Sequence, residues 1–487
     1  MSEQVTLTLS EVLAGLTGWT EWSGTIANTP ISQVIIDSRQ ASSGAMFVAL
    51  PGKQVDGHDY VADAFQRGAI VALVHHPVQG DWGTIDATAV DSMPKNLDEL
   101  RLPVCVRVLN TLSALQRLAA YWRKKFSVRV VGITGSVGKT MTKELTWAVL
   151  SRRFSTLKNP GNLNNEIGLP LTLLQLRPTH ERVVLEMGMY NVGEIAQLCA
   201  IACPQVGVVT NVGPTHLERL GSIERIAEAK SELVQALPPG GTAVLNHDDP
   251  LVRAMSGKVT KGVRVFHYGL TSEADLWASD VLSEGWEGIR FVLHYGREAV
   301  HVKVPLLGRH SVHNALCATA VGLIEGMHWE EILLGLQDSS VQLRLVSVPG
   351  INDSIILDDT YNASPVSTIA ALNLLDDLTS SGRKIAVLGD MAELGEFAEE
   401  GHRKVGCRVV TTASLLVTVG SLARLIAEEA RACGMPAETI IQVATNQEAI
   451  AHLRQLVQPG DIILVKGSRS MAMEEIVEAI QKAEGGR

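Results

Sequence analysis

The sequence predicts an α/β protein of several domains, built on mostly parallel sheets. Three observations carry this. Short β-branched runs alternate with longer Ala- and Leu-rich segments through nearly all 487 residues. Many of those runs end in polar or glycine-bearing residues, where open α/β sheets bind ligands. With 46% hydrophobic and only 19% charged residues, the chain can fill large aliphatic cores. Its length predicts roughly two to four domains.

In the first block, strands are expected at 33–36, 45–50 and 70–74, with a helix at 60–67. Residues 79–95, rich in Asp, Gly and Thr, read as loop. Pro103 and a polar helix at 111–125 lead into a second block, with strands at 182–186, 206–211 and 242–246. Residues 262–307 alternate apolar and polar side chains, which suggests antiparallel strands. A third block begins near 341, with strands at 355–357, 384–388, 415–419 and 462–465 separated by helices, as in a second open sheet. The blocks are placed at 1–105, 106–340 and 341–487. No internal repeat or low-complexity tract interrupts them.

A net charge of −10 argues against broad nucleic-acid or anionic-membrane binding. The six cysteines form no CxxC pair, so neither a zinc site nor a disulfide framework is expected, and buried free thiols are. Residues 1–10 lack the basic start and apolar block of a signal peptide, and no apolar run is long enough to span a membrane. A cytoplasmic protein is expected.

The most informative stretch is Val128-Arg-Val-Val-Gly-Ile-Thr-Gly-Ser-Val-Gly-Lys-Thr140. It reads as strand, glycine turn and helix start, the setting of a phosphate-binding loop. Gly135 and Gly138 let the backbone turn so that the N–H groups of Ser136 and Val137 can face phosphate oxygens. Lys139 can neutralise phosphate charge and the Thr140 hydroxyl can ligate Mg²⁺. Ile133 stands where the usual pattern has its first Gly.

Other polar groups fall at expected strand ends. Glu186 ends one strand, His216 follows another, and Lys230 lies on a helix. With Thr140 they could build a magnesium site, although each alone also suits a capped loop or a solvated face. The run 162–170 carries three Asn, among them Asn164 and Asn165, which suggests a loop whose amides are used, or a turn with a helix cap. Residues 308–315 precede an Ala-rich helix, with Ser311 as its expected cap. In the third block, 357–365, 388–395 and 465–470 form polar loops after three strands, a second binding face.

Taken in order, these motifs resemble the Mur ligase family, in its D-alanyl-D-alanine-adding branch, over essentially the whole chain. The carriers are Asp37-Ser-Arg39, Thr134–Thr140, Asn164-Asn-Glu-Ile-Gly168, Glu186-Met-Gly188, His216-Leu-Glu218, Ala229-Lys-Ser-Glu232, Gly308-Arg-His310 with Asn314, Asp358–Asn362, Gly389–Gly395 and Lys466-Gly-Ser-Arg469. The resemblance implies an N-terminal UDP-sugar-binding domain, a central P-loop ATPase-like domain and a C-terminal Rossmann-like domain. It implies an ATP-dependent ligase of peptidoglycan precursor synthesis that activates UDP-MurNAc-tripeptide as an acyl phosphate and joins it to D-Ala-D-Ala. Lys139 and Thr140 would serve the phosphates and a first Mg²⁺. Glu186, His216 and a carbamylated, CO₂-derived Lys230 would hold a second. Asn314, Arg344 and Asp359 would contact ATP. Ser38 and Arg39 would lie near the UDP moiety. Asn164, Asn165, Asn362, Lys466, Ser468 and Arg469 are the remaining substrate candidates. A monomer without nucleic-acid or membrane partners is expected. One departure stands out: the family reads Pro-Gly-Arg at the start of its third domain, and this chain reads Gln342-Leu-Arg344.

The chemistry fits this reading. A carboxylate attacking a triphosphate brings like charges together, and cations must offset the repulsion. A lysine ammonium, with a pKa of about 10.4, would repel Mg²⁺, whereas a carbamate reverses the sign. Two alternatives remain open at this point: a sister ligase (diaminopimelate-adding or folylpolyglutamate synthase-like), disfavoured by the third-block loops, and a nucleotide-binding scaffold.

Overall fold

The structure, a computed structural model, describes residues 7–52, 55–88, 96–215, 217–338 and 346–482. Its strands gather into three sheets, and the first is wholly parallel. Strands β1 (Val34–Ile35), β2 (Ala45–Val48), β3 (Ala69–Val74), β4 (Gly83–Asp86) and β5 (Val104–Arg107) lie in the order β1-β2-β3-β5-β4. β4 falls inside the stretch expected to be loop. Its Gly83-Thr-Ile-Asp86 has weak strand propensity and is recruited at the sheet edge by pairing with β5.

The second sheet holds β6 (Arg129–Thr134), β7 (Thr156–Lys158), β8 (Arg182–Glu186), β9 (Val206–Val209), β10 (Thr242–Asn246), β11 (Arg264–Gly269), β12 (Leu276–Ser283), β13 (Ile289–Tyr295) and β14 (Glu298–Val304). The expectation for 262–307 is half right. β12, β13 and β14 are antiparallel, but β11 runs parallel to β10 and to β12.

The third sheet holds β15 (Val346–Pro349), β16 (Ile355–Asp358), β17 (Lys384–Gly389), β18 (Leu415–Val419), β19 (Ile440–Val443) and β20 (Ile462–Lys466), in the order β15-β16-β20-β17-β18-β19. Only β15 is antiparallel. Sequence reading missed both edge strands, β15 and β19. The central strands are fully buried and read as continuous apolar runs, as sheets covered on both faces do.

By contact density the chain forms two units. The first comprises Met1–Gly132, Phe154–Gly188 and Glu194–Gln205, with β1–β5, the paired β7 and β8, and most of β6. Here the helix Thr111–Lys124 is anchored by Arg123, which is buried and donates to the carbonyls of Ala202, Phe126 and Val128. The second comprises Ile133–Arg153, Met189–Gly193 and Val206–Arg487, with the end of β6, the run β14-β13-β12-β11-β10-β9, and the third sheet.

The cysteines correct one expectation. Cys105, Cys199 and Cys317 are buried free thiols and Cys203 is an exposed one, but Cys407 and Cys433 form a disulfide. Their separation of 26 residues carries no motif; helix packing alone brings them together. No helix among the described residues is long and apolar enough to cross a membrane.

Candidate active site

β6 runs into the glycine turn, and the helix Lys139–Leu150 follows at once. Gly135 has φ +150° and Gly138 φ +85°, regions that L side chains rarely adopt. A Cβ on Gly135 would sit 1.9 Å from Thr210 Oγ1, and one on Gly138 2.8 Å from Asn314 Oδ1. Only glycine fits either position, which leaves the backbone bare where a phosphate would approach.

The residues after β9 clamp this loop. Asn211 accepts from the Val137 amide through Oδ1 and donates to the Val137 carbonyl through Nδ2, both at 2.8 Å. Thr210 Oγ1 donates to the same carbonyl at 2.7 Å. Ser136 N donates to the Asn211 carbonyl, and Ser136 Oγ accepts from the Gly213 amide and the Thr215 hydroxyl. Lys139 bends over the turn, its Nζ 2.7 Å from the Gly135 carbonyl and 3.2 Å from that of Ser136. Thr140 is the second residue of the helix, where its hydroxyl belongs if it ligates a metal. Thr210 and Asn211 were missed by sequence reading, because a polar pair after a strand is indistinguishable there from any loop.

Lys230 lies on the helix Ile223–Gln235 and is buried, at 2% exposure, not on a surface face. Burial pushes its amine well below the usual lysine range, and the positive charge of Lys139 acts in the same direction. Asn314, on the helix Ser311–Ile324, supports the loop, since its Oδ1 faces Gly138 and accepts from Thr142 Oγ1 at 3.1 Å. The expected cap is corrected: Ser311 Oγ donates to the Leu307 carbonyl, and the residue at the cap position is His310. A cleft of about 480 Å³ opens beside Asn211, lined also by Val212, Asn246, Asp248, Asp249, Pro250 and Leu251. Burial opposes ionisation of Asp248, but the His313 imidazole at 2.8 Å and the Leu270 amide outweigh it and hold its carboxyl below the usual range.

In the first unit, Glu186 ends β8 fully buried. Asn164 Nδ2 donates to its carboxylate at 2.8 Å, while Asn159 brackets its backbone, accepting from Glu186 N and donating to Glu186 O. Asn165 Oδ1 accepts from the Gly168 amide at 2.9 Å, at the start of the helix Gly168–Leu173, whose cap position is Ile167. The side-chain amides of the asparagine run are used, Asn164 on Glu186 and Asn165 on the turn before the helix, and the buried Asn159 is an addition to them. Ser38 is buried, whereas Arg39 projects into solvent and closes a bidentate pair on Asp37. His58, His75 and His76 also cluster in this unit. Both ring nitrogens of His58 are engaged, Nδ1 with Asp56 and Nε2 accepting the His75 amide, so it serves the fold.

Three loops meet at the carboxyl ends of the adjacent strands β16, β20 and β17. Lys466, 2% exposed, pairs with Asp359 at 2.6 Å and donates to the Asn362 carbonyl at 2.8 Å. Ser468 accepts from the Ala392 amide, and its own amide donates to the Asp390 carbonyl. The Arg469 guanidinium stands over the Tyr361 ring, 5.7 Å from its centroid. Within the same unit, the Glu218 amide donates to the Glu393 carbonyl. The structure thus brings Gly135–Thr140, Lys230 and Asn314 together, Glu186 with Asn164, and Asp359, Asn362, Lys466, Ser468 and Arg469 with one another. His216 and Arg344 lie outside the described residues, as does the Gln342-Leu343 departure.

The sequence matches three family profiles: the Mur ligase family catalytic domain over residues 30–123, the Mur ligase middle domain over 133–322, and the Mur ligase glutamate ligase domain over 344–469. A Bacillus subtilis UDP-N-acetylmuramoyl-tripeptide–D-alanyl-D-alanine ligase is 36% identical over 463 residues, covering 93% of this chain and 95% of the relative. A MurF structure from Acinetobacter baumannii superposes with a TM-score of 0.82 at 30% identity, covering 98% of each chain. A MurF ligase from Thermotoga maritima in complex with ADP superposes with a TM-score of 0.75 at 28% identity, covering 92% of this chain and 97% of that one. With its glycine cradle and third-sheet loops matched along nearly the whole length, the chain belongs to the Mur ligase family.

Proposed function

We propose that this protein is an ATP-dependent amide ligase that joins D-Ala-D-Ala to UDP-MurNAc-tripeptide, acting in the cytoplasm as a monomer, with domains at 1–105, 106–340 and 341–487. The observation that carries the reading is the bare glycine cradle under Lys139, with the buried amine of Lys230 in reach of the same charge. The relatives' names and the ADP complex supply the substrate class.

The amides expected to face the phosphates, those of Ser136 and Val137, are spent on Asn211 instead, so the triphosphate is bound by Lys139 and the helix start that follows it, and the cleft beside Asn211 receives the nucleoside. The terminal carboxylate of the peptide attacks the γ-phosphorus. A carboxylate O–P bond forms, the bond to ADP breaks, and Lys139 offsets the charge that develops. The acceptor amine then adds to the acyl carbon, gives up a proton, and the tetrahedral intermediate expels phosphate. By donor chemistry, the Thr140 hydroxyl would hold a first Mg²⁺, and Glu186, His216 and a carbamate on Lys230 would hold a second. Such ions supply charge neutralisation between the carboxylate and the phosphates. A neutral buried lysine amine is the form that adds CO₂, and the carbamate turns a cation into a metal ligand. The loops at Asp359, Asn362 and Lys466 to Arg469 grip the acceptor and the nucleotide edge. Ser38 and Arg39 face the UDP end.

The test is phosphate release with UDP-MurNAc-tripeptide. Turnover with D-Ala-D-Ala is expected; turnover with glutamate or diaminopimelate but not the dipeptide overturns the reading. ¹³C-bicarbonate should give a carbamate resonance that Lys230→Ala abolishes, and its absence in the wild type removes the carbamate.

A further inference from the structure

We infer that Cys407 and Cys433 form a reversible disulfide, a modification site that fixes the loop Gly389–Gly395 through the two helices that hold it. The covalent part of this inference does not depend on the ligase reading.

Cys407 lies on the helix Ala398–Val410, and Cys433 directly follows the helix Arg424–Ala432. Both are exposed, and their Cα atoms are 5.7 Å apart, within the range of bridged cysteines. Gly406 makes the approach possible: a Cβ there would sit 2.5 Å from the Ile426 carbonyl and 2.8 Å from Glu429 Cβ. Glu429 Oε1 lies 3.8 Å from the Cys407 sulfur and 3.9 Å from that of Cys433. The same three side chains could also be taken for a metal site. Against that, Glu429 Oε2 is paired with Arg403 at 3.1 Å, and Oε1 with the two sulfurs makes three donors, one short of the four that a structural zinc site takes.

The same helices carry the polar ties of the third-sheet loop. His402 Nε2, on the first helix, accepts from the Met391 amide at 3.0 Å. Asp390 Oδ1 accepts from the Leu422 and Ala423 amides, which lead into the second, at 2.9 and 2.6 Å. Adjacent residues of one loop are thus held by two different helices, and the sulfur bridge joins those helices. Oxidation proceeds by thiol–disulfide exchange with a low-molecular-weight disulfide such as oxidised glutathione. One thiolate attacks it, forming a mixed disulfide and releasing one reduced thiol. The second thiolate attacks the mixed disulfide and releases the other. Two protons and two electrons leave the protein.

The test uses the full-length protein equilibrated in glutathione redox buffers, trapped with an alkylating agent and mapped by mass spectrometry. Oxidising buffer should lower alkylation at Cys407 and Cys433 together by at least about tenfold, with a peptide pair lighter by two hydrogens, while Cys203 stays reactive. Amide exchange at Met391, Leu422 and Ala423 should slow about threefold or more, and the apparent Tm should rise by roughly 5 °C. Cys407→Ser and Cys433→Ser, both surface changes, should each abolish the redox response and keep the reduced-state Tm. Full alkylation of both cysteines in oxidising buffer, or retention of Zn²⁺ on the reduced pair in native mass spectra, overturns the disulfide. A disulfide that leaves those three amides unchanged overturns its hold on the loop.

Discussion

The phosphate turn after β6 and the loops at the ends of β16, β17 and β20 solve the same problem differently. The turn keeps its own backbone bare. Two glycines exclude side chains, and Thr210 and Asn211 hold the Val137 peptide. Its one cation, Lys139, rests on loop carbonyls that a phosphate can replace. The third-sheet loops are instead fixed by buried ties: Lys466 to Asp359 and Asn362, His402 to Met391, Asp390 to the Leu422 and Ala423 amides. Charge in the first region is poised for a ligand, while in the second much of it is consumed by the fold. The same residue type therefore has opposite expected consequences in the two places.

Substitutions can break or sharpen this contrast. The largest effect is expected from Lys139→Met. Phosphate release should fall on the order of a thousandfold, with unchanged thermal unfolding. A large loss of stability would mean that Lys139 also holds the fold, as the buried Lys466–Asp359 pair does. Lys230→Ala should cost on the order of a hundredfold or more in turnover, and short carboxylic acids should restore part of it. Undiminished turnover removes Lys230 from the mechanism.

Lys466→Met should act mainly on the fold. It leaves Asp359, mostly buried, without its cation, and about 2 kcal/mol of stability should be lost in chemical denaturation. An unchanged midpoint would erase the distinction between the regions. Asn211→Ala removes both bonds to the Val137 peptide and should weaken ADP binding by about tenfold in calorimetry, or about 1–2 kcal/mol; unaltered affinity would show that the clamp is not needed.

The smallest effect concerns pH. His402 is fully buried, donates from Nδ1 to the Ala398 carbonyl and accepts at Nε2. Burial holds its pKa below the usual histidine value. The unfolded chain therefore binds a proton first as pH falls. The stability from His402 is complete above about pH 6.5 and is lost as pH drops toward the folded value, by no more than about 1.4 kcal/mol per pH unit. His402→Gln should flatten that slope in denaturant titrations at pH 5 to 7; an unaltered slope would assign it to other groups.

The legible parts of the molecule share a physical trait, a local pattern with local cause. Glycines at 135 and 138 followed by Lys139 and Thr140 announce a turn that only glycine can make. β17, β18 and β20 read correctly because buried parallel strands are continuous apolar runs. β4, β15 and β19 did not, because edge strands owe their conformation to a partner. Lys230 is a metal-ligand candidate only through the motifs around it, since nothing in Ala227-Glu-Ala-Lys230 itself separates a buried face from a solvated one. Ser311 read as a cap because its type fits one, yet the backbone gives its hydroxyl the Leu307 carbonyl instead.

By itself the sequence determined the α/β class and the glycine turn that leads into Lys139 and Thr140, because spacing along a chain dictates turns, helix starts and strand faces. Only the tertiary structure decided that Lys230 is a desolvated amine, that Asn211 and Thr210 clamp the cradle, that Lys466 is spent on Asp359, and that Cys407 meets Cys433. Burial and pairing between distant segments set the charge, reactivity and freedom of a side chain, and no local pattern encodes them.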